Sequence, residues 1–226
     1  MQDKLIARAK ELLSEGKVKK VVGWKKGLFE DDITPALFTT AEELDKDFVF
    51  NKYCKANLSK YLVGITKNIE IAKSTTRMNN TMAKQRDPNA QDAPIPQEVV
   101  LVFLKPADTY SFTQLLKESR ITREDVYAIG VPCQDTLDGG DLCDNCAGKK
   151  PVSCDEYIGV DPNADVAPNT SRMDEVAKLE AMSVEERYNF WRNEFSRCIR
   201  CNACRNVCPA CTCEKCVFDN NALYTT

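Results

Sequence analysis

The stretch Glu-Val-Val-Leu-Val-Phe-Leu at residues 98–104 decides the fold class of this chain. Its almost unbroken apolar run is typical of a strand that is buried on both faces of a sheet. A helical pattern follows at Thr109–Ser119, and a second apolar stretch, Val-Tyr-Ala-Ile-Gly-Val, occupies residues 126–131. Strand, helix and strand at this spacing predict an α/β fold built on a βαβ unit with two parallel strands. Ligands of such units bind in the loops after the strands, and Cys133 lies in the second of these loops.

Weaker signals predict further elements outside the βαβ unit. An amphipathic helix, a strand and an edge strand are expected, in that order, at residues 3–15, 18–24 and 33–39. Capping boxes, in which a serine or threonine is followed three residues later by glutamate, predict helix starts at Thr40 and Ser183. Residues 77–97 are polar and contain three prolines, so we interpret them as a long loop.

A run of cysteines near the C-terminus carries the most specific chemical signal. Its first four members are separated by gaps of two, two and three residues and are followed by proline: Cys198, Cys201, Cys204, Cys208 and Pro209. This is the bacterial ferredoxin spacing for a cubane iron–sulfur cluster. We predict a 4Fe–4S cluster on the first three cysteines, completed by Cys208 or by a later cysteine.

Three further cysteines follow in a looser pattern: Cys211, Cys213 and Cys216. They do not repeat the ferredoxin spacing. The one-residue gap between Cys211 and Cys213 makes it hard for both thiolates to bind one cube, which favours their division between sites. Together with Cys208, these cysteines are candidates for a further cluster or for a zinc ion.

A second candidate site combines cysteines from the loop after the βαβ unit with one other cysteine. Its members are Cys133, Cys143 and Cys146, with either Cys54 or Cys154 as the fourth ligand. Four thiolates suit either zinc or an iron–sulfur cluster, and we prefer the cluster. Residues 135–169 show little periodicity, and a bound metal centre would give this long loop an order that apolar packing cannot.

Composition excludes several other functions. The chain has 226 residues, twelve cysteines and no histidine, which excludes Rieske centres, histidine-ligated haem and histidine-based catalytic dyads. A net charge of −3 argues against nucleic acid as the main partner. Neither a nucleotide-binding glycine motif nor a membrane-spanning apolar run is present. With no secretory signal, so many cysteines indicate a reducing compartment, and we expect a cytoplasmic protein without catalytic residues of its own.

Four stretches together resemble a known family. They are the segment Arg123–Cys133, the Cys143 and Cys146 pair, the segment Glu186–Trp191 and the segment Cys198–Pro209. The chain is similar to the iron–sulfur electron-transfer subunits related to the beta subunit of deazaflavin-reducing hydrogenases and formate dehydrogenases. Relatives of this kind accompany heterodisulfide-reductase-like and flavin-based bifurcating complexes.

The resemblance implies details that the spacing leaves open. The family has an Asn-x-Tyr-Cys element that matches Asn51–Cys54, which favours Cys54 over Cys154 as the fourth ligand. Many members carry Lys-Gly-Cys-Asp after the first βαβ strand, whereas this chain has Lys105-Pro-Ala-Asp108 and so lacks that cysteine. No flavin-binding region is evident, and we do not expect flavin in this chain.

These observations lead to one main hypothesis and one alternative. We expect an α/β domain with a four-cysteine site at residues 1–170 and a helical ferredoxin-like segment at residues 171–226. At least two 4Fe–4S clusters would relay single electrons between a flavin- or metal-bearing subunit of a redox complex and an acceptor such as ferredoxin. The alternative is an interaction or scaffold protein that is stabilised by four-cysteine zinc sites and has no redox activity.

Overall fold

A computed structural model of the protein describes residues 1–133, 146, 148, 150–163 and 173–212. The strands are β1 (Lys20–Lys26), β2 (Ile33–Phe38), β3 (Val100–Leu104), β4 (Val126–Gly130) and β5 (Glu156–Tyr157). The helices of the described part are α1 (Gln2–Ser14), α2 (Ala41–Asp47), α3 (Ser59–Arg86), α4 (Pro106–Lys117), α5 (Asp174–Ala181), α6 (Val184–Ser196) and α7 (Ala203–Val207). The mixed α/β class predicted from the sequence is therefore confirmed.

The five strands form one mixed sheet in the order β2-β1-β3-β4-β5. The predicted βαβ unit is present, because β3 and β4 pair in parallel from Val100 opposite Val126 to Leu104 opposite Gly130. Strand β1 is also parallel to β3, and β5 is parallel to β4. Only β2 runs antiparallel, and it lies at the sheet edge, as Pro35 predicts. The carboxyl ends of β1, β3 and β4 therefore lie on the same side of the sheet.

The core forms between the sheet and the helices that cover it. All five residues of β3 are buried, which explains why that strand has no polar positions. Helix α1 buries Leu5, Ala9 and Leu12, the face that its periodicity predicts. Both predicted capping boxes are present, at Thr40 before α2 and at Ser183 before α6. Local sequence signals therefore place these helix starts correctly.

Two segments differ from the sequence interpretation. Residues 77–97 are not simply a loop, because α3 continues to Arg86. The chain then returns along the helix, and the side chain of Asn80 exchanges two hydrogen bonds of 2.9 Å with the backbone of Ala93. The segment 135–169, interpreted as irregular, contains the short strand β5. Arg8 of α1 pairs with Glu156 of that strand, so a contact distant in sequence holds β5.

A close approach in β1 requires glycine at position 23. A Cβ atom built on Gly23 would lie 2.7 Å from the ring of Phe48 and 3.2 Å from the ring of Phe38. The Phe48 ring cannot retreat, because it packs on both Phe38 and Phe103 with ring centroids 5.9 Å and 5.4 Å apart. These aromatic contacts hold the segment after α2 against the sheet.

We expect Gly23→Ala to lower the free energy of unfolding by about 1–3 kcal/mol, because the added methyl group overpacks the aromatic cluster. Gly64→Ala is the matched control: Gly64 lies in α3, and a Cβ atom there would meet nothing within 4 Å. That substitution should raise the free energy of unfolding by about 0.5–1 kcal/mol, since alanine favours the helix. Urea unfolding followed by circular dichroism measures both. Equal effects of the two substitutions would contradict the packing argument.

Candidate metal centres

Cys54 reaches the carboxyl edge of the sheet through the segment after α2. Val49 donates a backbone hydrogen bond of 2.9 Å to Trp24 of β1, so this segment runs beside the second half of that strand. A turn at Asn51–Cys54 follows, closed by a bond of 3.1 Å between the Cys54 amide and the Asn51 carbonyl. The Cys54 side chain is fully buried. Its sulfur accepts a hydrogen bond of 3.3 Å from the Asn51 amide, a contact that stabilises a thiolate. The protonated thiol also donates to the Val49 carbonyl oxygen at 3.5 Å.

Lys105, the first residue after β3, is attached to the Cys54 turn. Its Nζ donates hydrogen bonds of 2.8 Å and 3.1 Å to the carbonyl oxygens of Cys54 and Lys55. The same ammonium group lies 5.7 Å from the ring centre of Trp24 and 3.7 Å from the carboxylate of Asp108. Lys105 and Asp108 are each only 6% exposed. A buried ion pair is therefore built at the carboxyl end of β3, directly beneath Cys54.

Charge and burial shift the pKa values of Cys54 and Asp108 in opposite directions. Burial raises the pKa of the Cys54 thiol, whereas the Asn51 amide and the positive charge of Lys105 act to lower it. Burial also raises the pKa of Asp108 to about 6, against the lowering effect of Lys105. The Oδ2 atom of Asp108 is buried and has no hydrogen-bond partner among the residues that the structure describes.

Cys133 and Cys146 lie near the same edge. Cys133 is exposed and follows β4 by three residues. Cys146 is half-buried, and Gly148, two residues later, packs on the first turn of α4. A Cβ atom on Gly148 would lie only 2.8 Å from the Cα atom of Ala107, so no larger residue fits there without movement. The fourth candidate in this group, Cys143, lies outside the described residues.

Cys154 occupies a different position from Cys54. It lies two residues before β5, beside β4 rather than beyond its end, and its sulfur is 3.4 Å from a Cβ position on Gly130. Burial, together with the charge of Asp155, raises the pKa of the Cys154 thiol to about 12. A metal ligand must be a thiolate. At Cys154, Asp155 opposes the thiolate more than Arg123 favours it, whereas at Cys54 the charge of Lys105 favours the thiolate.

The C-terminal cysteine run begins where α6 ends. Helix α6 has Arg197 at its C-terminus, and the Cys198 amide donates a bond of 3.0 Å to the Phe195 carbonyl. Arg200 and Asn202, on either side of Cys201, have left-handed backbone conformations with φ angles of 56° and 61°. Arg200 is the more unusual of the two, because asparagine adopts this conformation readily and arginine does not.

This backbone brings an amide to a candidate ligand sulfur. The Arg200 amide lies 3.4 Å from the Cys198 sulfur and donates a hydrogen bond to it. Helix α7 starts directly after Asn202 and carries Cys204, and the Cys208 amide bonds to the Cys204 carbonyl at 3.1 Å. Amide-to-sulfur hydrogen bonds of this kind are among the factors that set the potential of protein-bound clusters.

The C-terminal cysteine run is accessible to solvent, and hydrogen bonds attach it to α3 and to the loop after α4. Exposed or half-buried cysteines are Cys198, Cys201, Cys204, Cys208 and Cys211, while Cys213 and Cys216 lie outside the described residues. Lys60 of α3 donates a hydrogen bond to the Arg205 carbonyl, and Arg120 donates one of 2.7 Å to the Thr212 carbonyl. Between these attachments lies an open cavity of about 730 Å³, lined by α3, by the loop after α4 and by Thr212.

The aromatic residues of α6 are not part of the core. Trp24 of β1 is fully buried, whereas no residue of α6 is buried. Trp191 and Phe195 stack on each other at 6.0 Å yet are 44% and 68% exposed. The helix therefore presents an aromatic surface immediately before Cys198.

The residues that the structure describes do not include a complete ligand set. Among the residues it describes, no group of three or more cysteines or carboxylates is arranged to hold a metal ion. It places Cys54, Cys133 and Cys146 around one sheet edge, and it places Cys198, Cys201 and Cys204 in one exposed turn and helix. Lys105 and Asp108 are residues of the site that sequence reasoning missed. Two signals were available: a charged pair directly after a wholly apolar strand, and the match of Lys105 and Asp108 to the outer residues of the Lys-Gly-Cys-Asp element of the similar family.

Comparisons with protein-family models and with curated proteins find no match to this chain. The described helices include none that is long and apolar enough to cross a membrane.

We expect the cysteines of the metal-free reduced protein to differ in their reaction with iodoacetamide at pH 7.5. Cys198, Cys201 and Cys204 are exposed and should react at least about tenfold faster than Cys54 and Cys154, whose thiols are shielded and carry raised pKa values. Mass spectrometry of timed digests measures each rate. In urea the difference should vanish. A persistent difference in urea, or none in the folded protein, would contradict the described burial.

Proposed function

We propose that this chain is an electron-transfer subunit that carries two 4Fe–4S clusters. The observation that supports this most strongly is the backbone of the C-terminal run. Ferredoxin spacing coincides there with two left-handed residues and with an amide that bonds to the Cys198 sulfur. Eleven candidate thiolates in two groups would also supply two four-cysteine zinc sites, so the preference for clusters rests on the ferredoxin spacing.

The first proposed centre uses the C-terminal run. Cys198, Cys201 and Cys204 would each bind one iron, and Cys208 or a later cysteine would bind the fourth. The exposure of these cysteines suits a centre that exchanges electrons with another protein, because tunnelling requires close approach of the two partners. Cys211, Cys213 and Cys216 are left for a further cluster or a zinc ion.

The second proposed centre lies at the carboxyl edge of the sheet. Its ligands would be Cys54, Cys133, Cys143 and Cys146. We choose Cys54 over Cys154 because Cys54 has a cation and an amide donor beside it, whereas Cys154 lies next to Asp155. When bound, the cluster would store one electron. The protein's own contribution is to bury Cys54, to orient its sulfur through the Asn51 amide and to keep water away from that side.

The partner would be another subunit of a cytoplasmic redox complex. The exposed aromatic surface of α6 leads directly to Cys198, and aromatic residues are enriched in the centres of protein interfaces. A flavin- or metal-bearing subunit would supply or accept electrons, with ferredoxin as a second exchange partner. This role agrees with the resemblance to beta subunits of deazaflavin-reducing hydrogenases. It also agrees with a division into an α/β domain at residues 1–170 and a cluster-binding segment at residues 171–226.

Metal analysis of anaerobically purified protein tests this function. We expect a brown protein with about eight iron and about eight sulfide per chain, as two cubes require. Cys54→Ala should lose about half of both, because it removes a ligand of one centre only. Cys154→Ala is the control and should keep both cubes, since Cys154 is half-buried near the same sheet but is not a proposed ligand.

The alternatives give different results in the same measurement. A colourless protein that contains zinc and no iron would contradict the electron-transfer function and support the zinc-stabilised scaffold. About twelve iron per chain would assign a third cube to the last cysteines. Loss of iron in Cys154→Ala but not in Cys54→Ala would show that the fourth ligand of the second centre has been chosen wrongly.

A further inference from the structure

The buried pair of Lys105 and Asp108 has no role in the ligand sets above. Lysine is rarely buried, because taking its charge out of water is costly unless a partner compensates. Here the ammonium group makes two hydrogen bonds to backbone carbonyls, and one of these carbonyls belongs to the candidate ligand Cys54. The Asp108 carboxylate is 3.7 Å away, on a residue of the first turn of α4. The cation is therefore held between Cys54 and its own counter-ion.

We propose that Lys105 is a positioning residue that raises the reduction potential of the cluster bound through Cys54, and that Asp108 moderates this effect. The inference rests on the function proposed above and concerns the regulation of its second centre. Lys105 acts in two ways: its hydrogen bonds fix the Cys54 turn to the end of β3, and its charge lies beside the ligand.

Reduction adds negative charge to the cluster, so nearby fixed charges shift its reduction potential. One electron from a low-potential donor makes the cluster more negative by one unit, and no bond is formed or broken. A fixed positive charge in a poorly solvated site stabilises the reduced form more than the oxidised form, which raises the potential. A fixed negative charge has the opposite effect. Since Lys105 contacts the Cys54 backbone directly and Asp108 reaches it only through Lys105, the cation should dominate.

The test is a redox titration with dithionite at pH 8, where Asp108 is ionised because its pKa is about 6. Full-length chains are used, and the cluster signal that Cys54→Ala abolishes is followed by EPR. Lys105→Met should lower the potential enough to change the ratio of reduced to oxidised cluster at least tenfold, which is 59 mV for a one-electron couple. Asp108→Asn should shift the potential in the opposite direction. Lys105→Arg, which keeps the charge, should stay close to the wild type.

A matched control is available at the other end of the sheet. Lys73 and Asp125 form a second buried ion pair, with side chains 10% and 4% exposed, just before β4 begins. The double variant Lys73→Met, Asp125→Asn removes both charges there and should leave the potential unchanged. The signal of the C-terminal cluster should not move in any variant, which gives an internal reference.

The outcomes separate this inference from the proposed function. Shifts of opposite sign for Lys105→Met and Asp108→Asn would support it, since general loosening of the fold would not reverse its sign. A cluster signal that does not shift, or shifts of the same sign, would overturn the inference while leaving the electron-transfer function intact. If Lys105→Met does not fold, Asp108→Asn alone decides: an unchanged or lowered potential overturns the inference. Wild-type protein without a Cys54-dependent cluster would overturn both.

Discussion

Parallel pairing of β3 with β4 is the constraint on which the proposed second centre depends. Because the two strands run side by side from Val100 to Leu104 and from Val126 to Gly130, their following loops emerge at one edge of the sheet. One loop opens with Lys105 and the other contains Cys133. The turn that carries Cys54 reaches the same edge because Val49 bonds to Trp24 of β1. Strand pairing brings these distant residues to one edge, and the side chain of Lys105 attaches the Cys54 turn there.

Local charge distinguishes Cys54 from Cys154, which cysteine spacing alone leaves as equal candidates for the fourth ligand. Cys54 and Cys154 are both shielded cysteines with raised pKa values. Cys54 lies beside Lys105 and the Asn51 amide, whereas Cys154 lies beside Asp155, which outweighs the opposite effect of Arg123 on the pKa of its thiol. Since a metal requires the thiolate, local electrostatics favours Cys54. The family resemblance favours the same residue.

Sequence reasoning succeeded where the signal was local and failed where the outcome depended on distant contacts. The parallel strands, the helix α1 and the capping boxes at Thr40 and Ser183 follow from short apolar or capping patterns. The extension of α3 to Arg86 was missed because its last turns are solvated and lack an apolar stripe. The pair of residues in β5 becomes a strand only through β4 and Arg8.

The same holds for the candidate metal centres: local patterns predicted some of their residues, and distant contacts determined the rest. Cysteine spacing sufficed to identify the C-terminal run, and the predicted loop position of Cys133 after β4 agrees with the structure. The burial of Lys105 could not be predicted, because the two carbonyls that accept its hydrogen bonds come from about fifty residues earlier in the chain. The exposure of Trp191 and Phe195 likewise depends on what surrounds α6, which an apolar pattern does not specify.

Mössbauer spectroscopy of protein grown on ⁵⁷Fe and purified without oxygen decides whether this chain carries cubane clusters, because it reports the type of every iron atom. We expect all iron to be present as 4Fe–4S cubes, which dithionite converts to the reduced paramagnetic form. Protein that binds no iron, or binds it only as isolated four-thiolate ions, would contradict the proposed electron-transfer function.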